Sequence, residues 1–279
     1  DAVLYGEFEF CDILDTLELD RLFKKHKPDA VIHFSAFSLV GESVTDPYKY
    51  YHNNVSGTLS LLKSMIDNNC NKFIFSSSAA IFGNPEYIPI DEDHPKSPIN
   101  PYGKSKMMVE EILKDFDTAY GLKYVSFRYF NAAGHDPEGE LKERHDPETH
   151  LLPIIMQAAN GQRDSVSIFG DDYDTKDGSC VRDYIHVNDL ADAHLRGLDY
   201  LSNNTSQSSE FNLGNGKGFS VKEVIQKVKD MTSKDFKVLV EGRRGGDPST
   251  LVASDIKARK VLKLKANFSE IEKIIQTLN

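Results

Sequence analysis

The sequence predicts an α/β fold: a doubly wound parallel sheet with a second, smaller α/β domain. Short apolar runs at residues 30–34, 72–76 and 124–129 read as buried parallel strands. Between them lie segments with apolar residues at helical spacing, so strand and helix alternate as crossover connections require. After Asn131 the pattern loosens, which sets the expected domains at residues 1–131 and 132–279, interleaved, with the ligand between them.

Taken in order, residues 8–11 read as the end of a strand, followed by Asp12 and a helical stretch to Lys25. The apolar run 30–34 follows Pro28-Asp29 and is a buried strand. Residues 47–68 carry Val55, Leu59, Leu62, Met65 and Ile66 at helical spacing. Residues 72–76 are the next strand, and 84–100, rich in proline and acid, are a loop. Asn100 caps the next helix and Pro101 opens it, where a missing N–H costs nothing. Met108, Val109, Ile112, Leu113 and Phe116 give that helix its apolar stripe, and Gly121 ends it. Residues 124–129 form a strand and 132–150 a polar loop. Residues 151–160 are helical, 166–169 a strand and 171–179 an acidic turn region. Residues 182–186 lead into a helix through Asp189, Ala193 and Leu198, and 203–209 are a polar link. The last stretch starts at Phe211 and carries helices over 221–231 and 268–278.

Composition excludes several classes. A net charge of −10 over 279 residues, with no basic run, argues against a nucleic-acid surface. No apolar run reaches membrane-spanning length, and the first residues do not resemble a signal peptide. Cys11, Cys70 and Cys180 are far apart and form no C-x-x-C pair, which suits a reducing, cytoplasmic setting. His145 and His150 bracket Pro147, so they do not share a helix face as H-E-x-x-H ligands do, and no metal is expected.

The chemistry is carried by Ser78, Tyr102, Lys106 and Asn131. Serines that end a strand place hydroxyls at the carboxyl edge of a sheet, where open α/β folds bind ligands. Tyr102 and Lys106 stand four positions apart and share a helix face. An ammonium beside a phenol favours the phenolate and brings its pKa down from about 10. This is machinery for taking a proton from an alcohol during hydride transfer. Alone, such a Tyr–Lys pair is more often a solvated helix face, and serines at a strand end more often make turn hydrogen bonds. The joint placement of all three favours the catalytic reading.

Longer strings surround these residues. They include His33-Phe34 with Val40-Gly41-Glu42-Ser43-Val44, and Asn53-Asn54-Val55-Ser56-Gly57-Thr58. Later come Arg128 to Gly134, Glu143-Arg144-His145-Asp146-Pro147-Glu148-Thr149-His150, Val181 to Val187, and Arg243-Arg244 with Gly246-Asp247-Pro248. With these assembled, the chain resembles the UDP-glucose 4-epimerase family of the extended short-chain dehydrogenase/reductase superfamily, nearly end to end. The resemblance implies a Rossmann-type domain holding NAD and a smaller domain over a UDP-sugar, UDP-glucose or UDP-galactose, in a homodimer. It implies Tyr102 as acid/base, Lys106 on the cofactor ribose and Ser78 on the sugar 4-oxygen. Asp12, Phe34, Asn53 and Tyr129 fall at its cofactor positions. Asn131, His150, Leu151, Phe169, Arg182, Arg244 and Asp247 fall at its substrate positions, with His150 replacing an asparagine common in the family.

Plainer roles stand beside several of these. Asn131 also suits a strand cap, Arg182 a pair with Asp183 or another carboxylate, Asp12 a helix cap and Phe34 the core. The family opens with a strand and a G-x-x-G-x-x-G turn for the NAD pyrophosphate, and this sequence contains no such turn. The expectation is therefore a truncated chain that enters the fold near its third strand, leaves 30–34 as an uncovered sheet edge and by itself binds NAD poorly. Nucleotide-sugar 4,6-dehydratases and decarboxylases share the Tyr–Lys pair but carry an acid just after the serine. Ser78 is followed by Ala79-Ala80-Ile81-Phe82-Gly83, which favours epimerisation over elimination. A non-catalytic nucleotide-sugar-binding protein is the alternative from another class; the intact Ser78, Tyr102 and Lys106 oppose it.

Overall fold

A computed structural model describes residues 5–203 and 207–278; the polar link expected at 203–209 falls partly outside them. In chain order the elements begin with α1 (Thr16–His26), β1 (Val31–His33), α2 (Val40–Thr45), α3 (Pro47–Tyr50), α4 (Thr58–Asp67), β2 (Lys72–Ser78), α5 (Pro101–Tyr120) and β3 (Lys123–Tyr129). They continue with β4 (Asn131–Ala133), α6 (Leu151–Ala159), β5 (Ser165–Phe169), β6 (Val181–His186), α7 (Val187–Ser202), β7 (Ser209–Leu213) and β8 (Gly218–Ser220). The last are α8 (Val221–Thr232), β9 (Lys237–Glu241), β10 (Thr250–Leu251), α9 (Ile256–Val261) and α10 (Ile271–Gln276). The chain divides into two compact units: Asp1–Gly83, Pro95–Arg128 and His194–Phe211 in one, Asn84–His94, Tyr129–Ala193 and Asn212–Asn279 in the other.

In the first unit, β1-β2-β3-β7 is the order of the sheet, and β1 runs parallel to β2 with Ile32 opposite Ile74. β2 is buried on both faces, as a strand of a doubly wound sheet must be. Phe73 and Phe75 pack into a cluster with Leu19, Phe23, Leu62, Met65, Val109 and Leu113 from α1, α4 and α5. Ile74 points the other way, toward Gly197 of α7. A Cβ there would lie 2.9 Å from the Phe127 ring and 3.2 Å from Ile74, so only glycine lets the helix come this close.

Two expectations are corrected here. Residues 8–11 are not strand; among the described residues no strand pairs with them, so no ladder holds their backbone extended. β1 is the sheet edge, as expected. Asp15 rather than Asp12 caps α1, accepting from the Glu18 N–H. The helix expected over 47–68 is present, but its middle, Tyr51–Gly57, is π-helical, a local widening to i→i+5 bonds that apolar spacing does not encode. In α5 the Asn100 side chain accepts from Gly103 N–H, Pro101 stands in the first turn, and Gly121 closes the helix left-handed at φ 70°. Val109 and Leu113 are buried, whereas Met108 lies on the exposed side of the stripe.

In the second unit β6 is central, parallel to β4 and β10 and antiparallel to β8, while β5 and β9 pair parallel apart from it. The stretch 132–150 is therefore not all loop. Asn131–Ala133 pair with Tyr184–His186, a contact between segments some fifty residues apart that local polarity does not reveal. α6, α8 and α10 bury Leu152, Ile155, Val224, Val228, Ile271 and Ile274 against one another. Ser220 and Glu223 close a capping box on α8. The expected helix over 268–278 is confined to Ile271–Gln276. The short elements α2, β8, β9, β10 and α9 had no sequence signal strong enough to name them. No described helix is long and apolar enough to cross a membrane.

Candidate active site

The first unit brings Ser78, Tyr102 and Lys106 together. Ser78 ends β2, and its hydroxyl accepts from Ala80 N–H at 3.2 Å, capping the short turn Ala79–Ile81. The start of α5 docks onto that turn through Gly103, where a Cβ would meet the Ala80 carbonyl oxygen at 2.4 Å. This contact sets the Tyr102 hydroxyl within hydrogen-bonding range of Ser78. One helical turn on, the Lys106 ammonium donates to the Ser76 carbonyl at 2.7 Å and lies 5.9 Å from the Tyr102 ring centre and 4.9 Å from that of Phe75.

Lys106 is only 4% exposed, so the pair is not a solvated helix face. Burial pushes its pKa down to about 7, because removing an ammonium from water disfavours the charge. The phenol corrects the sequence expectation. Burial raises the Tyr102 pKa, and only the Ser78 hydrogen bond opposes that rise. A lysine that is itself half-discharged by burial does not offset the loss of water around the phenolate.

Behind these residues lies a buried ionic network that the sequence did not single out. Glu110, one turn beyond Lys106, is fully buried and accepts from Ser77 Oγ at 2.7 Å, Arg128 Nη2 at 3.0 Å and Lys96 Nζ at 2.8 Å. Burial pushes its carboxyl up, but Arg128 and Lys96 outweigh that and hold it below the usual carboxylate range. Its spacing from Lys106 was the available signal; a glutamate at that interval on a helix ordinarily reads as solvent-facing.

The remaining cofactor candidates spread over loops and strand ends. Phe34 is 61% exposed just past β1, its ring 5.0 Å from that of His194, so it is not core. Asn53 donates to Asn54, whose amide holds the Phe37 backbone at both its N–H and its carbonyl. Asp12 is exposed and accepts from Leu14 N–H. Tyr129 is the last residue of β3.

The second unit contains a cavity of ≈ 480 Å³, within the size range of small-molecule sites. Every residue of the substrate set after Ser78 lines it: Asn131, His150, Leu151, Phe169, Arg182, Arg244 and Asp247. The Arg244 guanidinium stacks 3.6 Å from the centre of the Phe169 ring. Arg182 pairs with Asp247 at 3.3 Å, which answers the question of its carboxylate partner. The neighbouring Asp183 is instead buried, pushed up to about 7 by desolvation, and accepts from the N–H groups of Asn215, Gly216 and Ala253. Asn131 donates to the Asp183 carbonyl, tying the start of β4 to β6. Thr149, Arg163, Cys180 and Val221 also line this cavity and were not singled out from sequence.

Residues 1–214 match the family described as "NAD dependent epimerase/dehydratase family". The chain belongs to that family. Among its relatives, the UDP-glucose 4-epimerase of Halalkalibacterium halodurans is 51% identical over 265 residues, covering 95% of this chain and 79% of that protein. The crystal structure of UDP-glucose 4-epimerase from Brucella ovis, in complex with NAD, superposes with a TM-score of 0.94 at 46% identity, over 99% of this chain and 84% of that one. The Bifidobacterium longum enzyme, in complex with NAD+ and UDP, gives 0.92 at 39% identity, over 97% and 81%. Membership in the epimerase/dehydratase family agrees with the α/β architecture built around β2 and α5.

Proposed function

We propose that this chain interconverts UDP-glucose and UDP-galactose by inverting carbon 4 through a transient 4-keto sugar, with NAD as its cofactor. It is an isomerase. The observation that carries this reading is the buried Lys106 ammonium one helical turn from Tyr102, with the Ser78 hydroxyl on the phenol.

The residues present fit the ribose of NAD, while the sequence holds no glycine-rich turn for its pyrophosphate. An ammonium has three N–H bonds, and among the described residues Lys106 reaches one acceptor, Ser76, leaving two donors for a vicinal diol such as a ribose. Phe34, Asn53, Tyr129 and Asp12 are assigned to the same cofactor. When bound, NAD would supply the hydride acceptor and donor for carbon 4. Tyr102 takes the proton from the 4-hydroxyl and restores it afterwards, and Ser78 holds the 4-oxygen by hydrogen bonding. Because burial favours the neutral phenol, Tyr102 acts as base only with more positive charge close by than Lys106 alone provides, which the positive nicotinamide of bound NAD would add. In the second unit, the Arg182 and Arg244 guanidinium groups supply forked donors for a diphosphate, and Phe169, Leu151, Asn131, His150 and Asp247 complete the nucleotide and sugar contacts. A cytoplasmic homodimer with no nucleic-acid or membrane partner is part of the same proposal, supported by the family and by three free cysteines.

The reading is tested by incubating the chain with UDP-galactose and NAD and resolving the products. UDP-glucose is expected. A dehydrated 4-keto-6-deoxy sugar would sink it in favour of elimination.

A further inference from the structure

The segment before α6 gathers four donor groups that the proposed reaction does not use together. Glu143 lies 3.0 Å from His145 Nδ1 and 2.5 Å from His150 Nδ1. Glu148 lies 3.6 Å and 3.5 Å from the same two nitrogens. One ligand atom from each of the four side chains falls within 4.8 Å of every other. The carboxylates are the sheltered members, with side chains 15% and 7% exposed, while the imidazoles are half open to solvent. Glu148 is fixed further by accepting the N–H groups of Thr149 and His150.

Sharing a helix face, the requirement that sequence spacing imposes, does not apply here. The backbone folds back between the two histidines, and their rings meet edge to face with centroids 4.9 Å apart. Two sheltered carboxylates this close repel unless a cation lies among them.

We propose that Glu143, His145, Glu148 and His150 form a four-ligand site for a divalent transition-metal ion of the zinc class. Two carboxylates and two neutral imidazoles balance a doubly charged ion. Bonds of about 2.0–2.2 Å in a tetrahedron set ligand atoms about 3.3–3.6 Å apart; Glu143 lies 3.0 Å from His145, and Glu148 reaches His145 through Oε2 at 3.6 Å and His150 through Oε1 at 3.5 Å. The shortest, His150 to Glu143 at 2.5 Å, lengthens when the ion enters between the two groups. Two imidazole ligands disfavour magnesium and calcium, which prefer oxygen alone. With four protein ligands the site is closed, so the ion acts as a clamp on residues 143–150 and holds the His150 ring at the cavity it lines.

The test uses the full chain without a polyhistidine tag, stripped with chelator and titrated with Co²⁺. A visible absorption band of tetrahedral intensity is expected, saturating at one equivalent and bleached by Zn²⁺. His145→Ala and Glu143→Gln, each assayed for folding by circular dichroism, should weaken binding by more than the roughly tenfold that loss of a supporting partner costs. His145→Gln is the replacement variant if either misfolds. A saturable band that survives unchanged in the folded variants, as an ion on Glu7, Glu9 and His26 would give, overturns the assignment. So does the absence of any saturable band.

Discussion

The Lys106 ammonium donates to the Ser76 carbonyl at 2.7 Å, two residues before Ser78, whose hydroxyl favours the Tyr102 phenolate. One strand end thus fixes the lysine by its backbone and acts on the tyrosine by its side chain. The consequences of that arrangement can be measured.

Tyr102→Phe should lower kcat by about 10²–10⁴-fold, the usual contribution of a positioned acid/base, while UDP affinity changes little. Turnover assays paired with calorimetric UDP titration separate the two effects. Unimpaired turnover would remove the role assigned to the phenol.

Lys106→Met should abolish turnover yet raise thermal stability, because it replaces a buried, singly bonded ammonium with an apolar side chain. The sign is set by linkage. The folded pKa, about 7, lies below the ordinary lysine value of 10.5, so between these values the unfolded chain binds more protons and stability rises with pH. The advantage of the variant is therefore largest below pH 7 and shrinks as pH climbs toward 10.5. Melting curves at several pH values read this directly.

Glu110→Ala leaves the buried Arg128 guanidinium and the Ser77 hydroxyl without their shared acceptor. A loss of about 3–5 kcal/mol is expected, as for other broken buried pairs, and urea midpoints measure it. A shift below 1 kcal/mol would mean that the network is solvated.

Gly103→Ala drives a methyl into the Ala80 carbonyl and pushes the start of α5 away from the Ser78 turn. A displacement near 1 Å should cost about 10²-fold in kcat with smaller change in UDP affinity.

Arg244→Ala and Arg182→Lys test the cavity of the second unit. Each should raise the UDP dissociation constant about 10–100-fold, the worth of one charge-assisted contact, without altering the pH dependence of kcat.

Much of this was legible from residue types and spacing. Asn100, Pro101 and Gly121 bound α5 where caps and a left-handed terminus demand. The strands at 72–76 and 124–129 were visible because burial on both faces forces a continuous apolar run. The segment 8–11 misled for the opposite reason: its composition suits a strand, but a strand exists only where a neighbour completes its ladder, and among the described residues no strand pairs with this segment. β4 and β10 escaped notice because two or three residues carry no periodicity, and their pairing with β6 is made by distant parts of the chain.

The site divides along the same line. Sequence alone determined which groups exist: a phenol and an ammonium one helical turn apart, a hydroxyl at a strand end, and arginines, an aspartate and an aromatic in the later segments. It also pointed to the family, since local strings fix residue identity independently of packing. Only the tertiary structure decided their electrostatic state, because a pKa depends on how much water is removed and by which neighbours. Burial placed Lys106 near neutrality, raised Tyr102 instead of lowering it, and set Glu110, an ordinary helix-surface glutamate by its position, at the centre of a buried ionic network.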